Sequence, residues 1–317
     1  MFDIYLGLAV SLTVSAVAFG IAYHCGRSAS QQLVNLLTTA LVLLLVLYIR
    51  DMWNSHTVAT FLPYSNLIVI GNWLAPAVAV LGGLAWHRLP GQFCRRAILV
   101  GSMLMVAGYS LVHPLRGEVP HCDDLWENGV CLQSTNASCS PASAATLLRC
   151  YNIPATEQEM AELCLTRKEG THWQGLYRGL KLKTVGTPWD VEVFSGTTID
   201  ELRTRAEYGP VILTVGLPKD FRPASAYQQD WGWIPGVSHS VVLFKFYTIE
   251  MANIGDPSVA EGRENWTETD LRILWQGRGI RLVPRDKSPD TLIALSKPVF
   301  RKNSDIFKHV RGLTTSF

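Results

Sequence analysis

Cys139 stands directly before a segment whose composition predicts an α-helix. Residues 140–150 are rich in Ala and Leu, and Pro141 falls in the first turn, where its missing N–H costs no hydrogen bond. The positive end of the helix dipole and the free N–H groups there stabilise a thiolate, the form of cysteine that attacks carbonyl carbon atoms. The position therefore predicts a nucleophile, although a cysteine buried in a core fits the same pattern.

A histidine and an aspartate follow in a predicted β-hairpin. The segment 237–246 predicts a strand led by His239, and the second strand ends just before Asp256. Because hairpin strands run side by side, these two residues are expected to lie together although 17 positions separate them. Asp256 is then placed to hold the imidazole tautomer that faces a thiol. Taken singly, His239 is typical of an ordinary strand residue and Asp256 of a turn before proline.

The chain from Gly117 onward resembles a known family, the double-glycine leader peptidases. These form the bacteriocin-processing branch of the papain-like cysteine peptidases. The resemblance covers nearly the whole of this part of the chain. The matching segments are Gln133 with Cys139 and Pro141-Ala142, Thr156-Glu157, Glu169-Gly170-Thr171 with Gly175-Leu176, His239-Ser240-Val241-Val242, Asp256-Pro257, and Trp275-Gln276-Gly277.

The resemblance implies a role for each of four residues. Cys139 is expected to be the nucleophile, His239 its base and Asp256 the acid that orients the imidazole. Gln133, six residues before the cysteine, is expected to join a backbone N–H in holding the oxyanion. The implied reaction is thiol-dependent hydrolysis of a peptide or protein substrate. The implied fold is α+β, with a helical lobe packed on an antiparallel sheet.

Two neighbours of the nucleophile depart from the pattern that many family members share. Ser138 replaces an acid and Ser140 replaces a glycine, and a side chain at position 140 predicts a narrower cleft for a glycine-ending substrate. Many members lead an ATP-driven exporter, but this chain has no G-x-x-x-x-G-K-[ST] loop, so no nucleotide is expected as a partner. No His, Cys or Asp group has metal-ligand spacing, so no metal or other cofactor is expected.

Local patterns predict helices before strands in this region, an α+β order. The expected strands are an irregular one over 184–193, one over 210–215, and the hairpin that carries His239. The expected helices are 140–150, 156–165, 174–182 and 199–207.

The first part of the chain has the composition of a membrane domain. Four apolar stretches approach the roughly 20 residues that cross a bilayer core. These predicted spans are 4–23, 33–49, 66–86 and 97–113, which divides the chain into a transmembrane anchor over 1–115 and a peptidase domain over 116–317. The first span lacks a basic leading region and carries Asp3, so it is expected to be retained rather than cleaved as a signal peptide.

Basic residues in the short loops predict the orientation of the spans, because Lys and Arg stay preferentially in the cytoplasm. The loops predicted to face away from the cytoplasm carry only Arg50 and Arg116 as basic residues, and acidic residues accompany them. The peptidase domain is therefore expected outside the cytoplasm, on a multi-pass protein of the cell membrane. The residues that mark the cytoplasmic side are Arg27, His87, Arg88, Arg95 and Arg96.

The spans carry little chemistry of their own. Ionisable residues in their middle would point to transport, and there are none. Asn72 and Pro76 are typical of helix packing and a kink. The spans are therefore expected to anchor the chain in the lipid bilayer, and the sequence leaves open whether they also present a substrate.

Charge and cysteine content limit the remaining possibilities. A formal charge of +2 without any Lys/Arg-rich run gives no case for nucleic acid. Cys122 and Cys131 bracket a turn-rich stretch that a disulfide closes if the compartment is oxidising, and free thiols are the alternative. Cys150 and Cys164 lie on predicted helices and are expected to be buried free thiols.

Two other functions fit the same residues. An acyl transferase or transamidase uses the same thioester but passes the acyl group to an amine or thiol instead of water. A non-catalytic membrane receptor keeps the fold only to bind a peptide. The presence of all four expected site residue types favours an enzyme over the receptor.

Overall fold

A computed structural model describes residues 1–53, 55–221 and 226–286 of the chain. Within these residues, four helical segments are long and apolar enough to cross a membrane. Each contains or nearly contains one of the predicted spans. The four segments are Phe2–Ser28, Gln31–Met52, Leu67–Trp86 and Phe93–Leu115.

These four segments comprise more than four regular elements. The second segment ends in a π-helical turn, Tyr48–Met52, and the fourth ends in a 3-10 turn, His113–Leu115. A short helix lies between the second and third segments. In chain order the α-helices are α1 Phe2–Ser28, α2 Gln31–Leu47, α3 Val58–Phe61, α4 Leu67–Ile70, α5 Leu74–Trp86 and α6 Phe93–Val112.

The third segment is broken at residues 71–73. Breaking a helix leaves backbone groups without partners, which is costly in an apolar layer. Tyr48 satisfies two of them, since its hydroxyl donates to the Gly71 carbonyl at 2.6 Å and accepts from Trp73 N at 3.1 Å. Asn72 donates to Ser110 Oγ at 3.0 Å, which confirms the packing role expected for Asn72. Pro76 lies in the first turn of α5, so the break precedes it.

The chain after residue 115 folds as α+β, as expected. In the described part, six strands form one sheet in the order β3-β8-β4-β5-β6-β7, and every neighbouring pair is antiparallel. A small hairpin, β1 with β2, precedes it. The strands are β1 Trp126–Glu127, β2 Val130–Cys131, β3 Trp189–Phe194, β4 Val211–Val215, β5 His239–Phe246, β6 Met251–Gly255, β7 Arg263–Thr267 and β8 Trp275–Pro284. The helices are α7 Cys139–Cys150, α8 Glu157–Leu163, α9 Trp173–Lys183, α10 Ile199–Glu207, α11 Ala226–Gln229 and α12 Glu268–Leu274.

The helices expected in this region are all present, and their ends differ from the expected ones by at most a few residues. Thr156 and Thr198 cap α8 and α10 through their side chains, which explains why these helices begin where the sequence indicated. The irregular strand expected over 184–193 begins only at Trp189. Six elements were not expected: β1, β2, α11, β7, α12 and β8. Strand β8 lies between β3 and β4, so the last strand of the described chain takes an interior position beside the edge strand β3.

The sheet is buried on both faces. Along β4, Ile212 joins one hydrophobic cluster with residues of α7, α8 and α9, while Val211 and Leu213 join a second cluster with α10 and α12. This alternation follows from the two-residue period of a strand. The first cluster holds α7, whose first residue is Cys139, against the sheet.

The membrane helices and the α+β region share part of their core. Val58 and Ala59, between the second and third spans, and Leu67, at the start of the third, belong to the same cluster as α7 and α9. The ring of His56 stacks on Trp173, with centroids 4.2 Å apart.

A buried ion pair joins the same two parts of the chain. Arg178 of α9 is fully buried, and its Nε and Nη2 atoms lie 2.7 and 2.8 Å from the two carboxylate oxygens of Asp3 in α1. The amino end of the first span therefore lies on the same side as the α+β region.

Replacing Asp3 with asparagine is expected to lower the free energy of unfolding by about 3–5 kcal/mol, because it leaves the buried Arg178 charge uncompensated. Chemical unfolding of the full chain in detergent micelles measures the change. Asp51→Asn is the matched control, since the Asp51–Arg50 pair is exposed and is expected to add nothing measurable. Equal behaviour of the two variants would show that the Asp3 pair is dispensable.

Candidate active site

Three of the four expected site residues come from different parts of the chain and meet at one cavity. Cys139 is the first residue of α7, His239 is the first residue of β5, and Asp256 follows β6 directly. All three line a cavity of about 860 Å³, and Gln133 lines it too. Strand pairing explains why Asp256 lies near His239. Val242 of β5 lies opposite Gly255 of β6, so the end of β6 returns toward the start of β5.

The imidazole of His239 is held from one side by a carboxylate. His239 Nε2 lies 2.8 Å from Asp256 Oδ1, so the other ring nitrogen, Nδ1, is left for the thiol. The same carboxylate oxygen accepts from Ser258 N at 2.8 Å and from Ser258 Oγ at 2.6 Å. Asp256 is buried, and these three donors fix both its position and its charge.

The thiol and the imidazole change each other's pKa. Burial alone would raise the pKa of Cys139, but the hydrogen bond and charge of His239 outweigh it, and the pKa lies below that of an ordinary thiol. Burial alone would lower the pKa of His239, but Asp256 and Cys139 outweigh it, and the pKa lies above its ordinary value. Burial also opposes the charge of Asp256, yet His239 and Ser258 keep its pKa below the ordinary value. Each of the two groups therefore favours the charged form of the other, thiolate for Cys139 and imidazolium for His239.

Serine side chains connect α7, which begins at Cys139, to β5, which begins at His239. Ser140 Oγ and Ser240 Oγ lie 2.8 Å apart, and Ser143 Oγ donates to the Ser240 carbonyl at 2.9 Å. The side chain of Ser140 is therefore buried between α7 and β5 and does not line the cavity. The expectation that it narrows the cleft is wrong, because the helix turns this side chain toward the sheet.

Gln133 is held at the same cavity as Cys139 by its backbone. Its N–H donates to the Pro257 carbonyl at 2.8 Å, which links the segment before α7 to the turn after Asp256. Its side-chain Oε1 is buried and has no hydrogen-bond partner among the described residues. The amide thus lies at the cavity with hydrogen-bonding capacity unused.

The cavity wall includes side chains that the sequence indicated weakly or not at all. The segment 231–236 contributes Trp231, Trp233 and Ile234 to the cavity wall. The Trp233 ring packs edge-on against His239, with centroids 5.9 Å apart, and against Trp266 at 6.0 Å. No local signal pointed to Trp266. Ser258 was recognisable only in retrospect, from its place in an Asp-Pro-Ser turn.

The remaining cysteines are not placed for chemistry. The five of them that lie outside α7, together with Cys150 at its end, are free thiols, so no disulfide closes the stretch between Cys122 and Cys131. Cys164 is buried, as expected, and Cys150 is half-buried. Burial raises the pKa of Cys164 and Cys122 to about 12 and that of Cys150 to about 11.

Metal ligands are not clustered in the described part of the chain. No group of three or more His, Cys, Asp or Glu side chains there has an arrangement that holds a metal ion.

Comparisons with known proteins gave matches only among solved structures. No family model and no curated protein matches the chain. The peptidase domain of Streptococcus ComA, a bi-functional ABC transporter involved in a quorum-sensing pathway, matches at 17% identity and a TM-score of 0.36, over 49% of this chain and 98% of that one. A double-glycine motif protease from an AMS/PCAT transporter, in complex with the leader peptide, matches at 17% identity and a TM-score of 0.37, over 53% and 94%. A protein from Bacillus anthracis described as a C39-like peptidase matches at 19% identity and a TM-score of 0.39, over 54% and 96%.

Proposed function

We propose that the chain is a membrane-anchored cysteine endopeptidase that hydrolyses a peptide or protein precursor. One observation carries the proposal. The Cys139 thiol interacts with the His239 imidazole, the imidazole is hydrogen-bonded to Asp256, and all three residues line one cavity. A thiol with a lowered pKa, beside an imidazole that a buried carboxylate orients, is the arrangement that nucleophilic attack on an amide requires.

The reaction then proceeds in two stages. The Cys139 thiolate attacks the scissile carbonyl carbon, and the oxygen of the tetrahedral intermediate accepts hydrogen bonds from Gln133 Nε2 and a backbone N–H. The imidazolium of His239 gives its proton to the leaving amine, which departs and leaves a thioester on Cys139. Neutral His239 next takes a proton from water, whose oxygen attacks the thioester and releases the carboxylate product and the thiol. Asp256 stabilises the imidazolium throughout and keeps Nδ1 toward the sulfur.

The walls of the cavity fit a peptide with apolar side chains. Trp231 and Ile234 expose 57% and 63% of their surface beside His239, so they offer indole and aliphatic contact to a substrate. Asp230 and Asp270 also line the cavity and contribute negative charge. A neutral or basic peptide segment with at least one large apolar residue is the substrate that this wall favours.

We place the catalytic cavity on the extracytoplasmic side. The Asp3–Arg178 pair supports a shared side for the amino end and the α+β region, and the loops at the opposite end of the spans carry most of the basic residues. Two of those loops contact each other, since Arg88 Nη2 donates to the Ala29 carbonyl at 3.0 Å.

A thiol-reactive probe tests the activated cysteine directly. In a variant without the exposed Cys25 and Cys94, iodoacetamide at pH 6 is expected to alkylate Cys139, because the pKa of this thiol lies below the ordinary value while burial raises the pKa of Cys122 and Cys164. Mass spectrometry of peptides locates and times the modification. His239→Ala is expected to slow it roughly tenfold to one-hundredfold, since the thiol then reverts toward its ordinary pKa. An unreactive Cys139 in the folded protein would favour a receptor that only binds peptides.

Comparison of membrane-fraction peptides tests the function itself. Cells with the wild-type chain and cells with the Cys139→Ala variant are expected to differ in a small set of precursor and product peptides. Products that carry an added amine at the new carboxyl end, when a competing amine is supplied, would instead show acyl transfer. Identical peptide populations would contradict proteolysis at this site.

A further inference from the structure

A second cavity lies where the membrane helices meet the α+β region. Its volume is about 860 Å³, within the range of pockets that hold small molecules, and it shares no lining residue with the cavity at Cys139. Tyr48, Asn72 and Tyr109 line it from the membrane helices, whereas Leu165 and Arg167 line it from the α+β region. Neither part of the chain forms this cavity alone.

The cavity lies at the level where the spans end. Helix α2 passes into its π-helical turn at Tyr48, the third segment is broken at Gly71, and α6 ends just before His113, and all three of these residues line the cavity. Trp53 and Tyr109 also line it, and such aromatic residues concentrate at the boundary between lipid tails and water. The opening therefore faces the headgroup layer of a bilayer.

Two guanidinium groups line the cavity without an acidic partner. Neither Arg116 nor Arg167 forms an ion pair with any carboxylate in the described part of the chain. Three of the five N–H donors of Arg167 bind the carbonyls of Arg116, Thr166 and Leu115, which holds the charge in place and leaves two donors. Arg116 is exposed, and its guanidinium carbon lies 5.7 Å from the centre of the Tyr109 ring.

The charge balance at this cavity favours an anion. Among the described residues that line it, Glu169 is the one carboxylate, so the two guanidinium charges of Arg116 and Arg167 face one negative charge. Arg167 is half-buried, so water solvates this cation incompletely, and burial lowers its pKa. Guanidinium groups bind multidentate anions such as phosphate well, and both of these groups line the same cavity.

The remainder of the wall is apolar. Ile68 and Leu165 are nearly fully buried behind the cavity, and Pro114 and the ring of Tyr109 extend the apolar surface outward along the spans. A ligand that binds the two guanidinium groups and also covers the apolar wall carries a phosphate next to hydrocarbon. We propose that this cavity binds one phospholipid, with its phosphate between Arg116 and Arg167 and the start of an acyl chain against Ile68 and Tyr109.

The bound lipid would connect the membrane helices to the catalytic region. Gln174 lines the cavity from the first turn of α9, and the same helix carries Arg178, the partner of Asp3. Because the site exists only when the two parts are docked, lipid binding stabilises the docked arrangement.

Lipid titration of the full-length protein in detergent micelles tests the site. Native mass spectrometry is expected to show saturable binding of one dioleoyl phosphatidylglycerol per chain, and Arg116→Gln is expected to weaken it about tenfold through loss of a charged hydrogen-bond donor. Arg50→Gln is the matched control. It removes the same charge at the same level of the protein, but Arg50 does not line the cavity, so affinity is expected to stay unchanged.

Two further ligands separate the parts of the proposed chemistry. Dioleoylglycerol has the tails without phosphate and glycerol phosphate has the phosphate without tails, and both are expected to bind at least tenfold more weakly than the phospholipid. Equal binding of glycerol phosphate would assign the site to a soluble phosphate instead. Equal binding of dioleoylglycerol, or equal loss in Arg116→Gln and Arg50→Gln, would overturn the proposal. Unchanged thermal unfolding of Arg116→Gln without added lipid shows that the variant is folded.

Discussion

Replacing Cys139 with alanine is expected to reduce peptide hydrolysis by roughly 10⁴- to 10⁶-fold, to the level that substrate binding and oxyanion stabilisation alone supply. Neither Cys150 nor Cys164 can substitute, because burial raises the pKa of both thiols and neither lines the cavity. Turnover of a peptide that the wild-type protein cleaves, measured on the full chain in micelles, gives the change in kcat/KM.

Cys150→Ala is the control for this experiment. Cys150 ends the same helix that Cys139 begins, so both variants exchange a thiol for a methyl group on α7, and only one of them removes the proposed nucleophile. Cys150→Ala is expected to retain activity near that of the wild type. Comparable cleavage by both variants would rule out Cys139 as the nucleophile.

Asp256→Asn is expected to lower kcat roughly 10²-fold and to change the pH profile in one direction. In the wild type the thiolate forms as pH rises through the lowered pKa of Cys139, and the imidazolium is lost as pH rises through the raised pKa of His239. Activity therefore spans the interval between these two values. Because the Asp256 carboxylate helps to raise the pKa of His239, its loss moves the alkaline limb to lower pH and narrows the interval.

Full profiles of kcat/KM against pH for the wild type and for Asp256→Asn measure both limbs. Asp230→Asn is the matched control, since Asp230 lines the same cavity but is exposed and forms no hydrogen bond with His239 in the described structure. It is expected to leave the alkaline limb in place. An alkaline limb that stays fixed in Asp256→Asn would show that this carboxylate does not orient or charge the imidazole.

Much of the α+β region was predictable because its signals are local. Helix α10 has the same bounds in sequence and structure, since the Thr198 capping box fixes its start. The His239 hairpin was predictable because its two strands are separated only by a short turn. Strand β8 carries no such signal: it pairs with β3 and β4, whose residues lie about 60 to 95 positions earlier, and its place depends on which sheet edges remain open.

The site divides in the same way. The helix composition after Cys139 and the hairpin pattern around His239 and Asp256 made these three residues predictable, because both signals are local in the chain. The direction of Ser140 and the wall formed by Trp233 and Trp266 were not predictable, since both depend on contacts between elements far apart in sequence.

Apolar length and loop charge, read along the chain, were enough to locate the four membrane segments and to expect an anchor. Tertiary structure alone decided that the anchor shares a core with the α+β region, that Asp3 reaches the buried Arg178, and that a cationic cavity forms between the two parts. The physical reason is that burial and charge pairing act across space, whereas helix propensity, capping and hydrophobic length act along the chain.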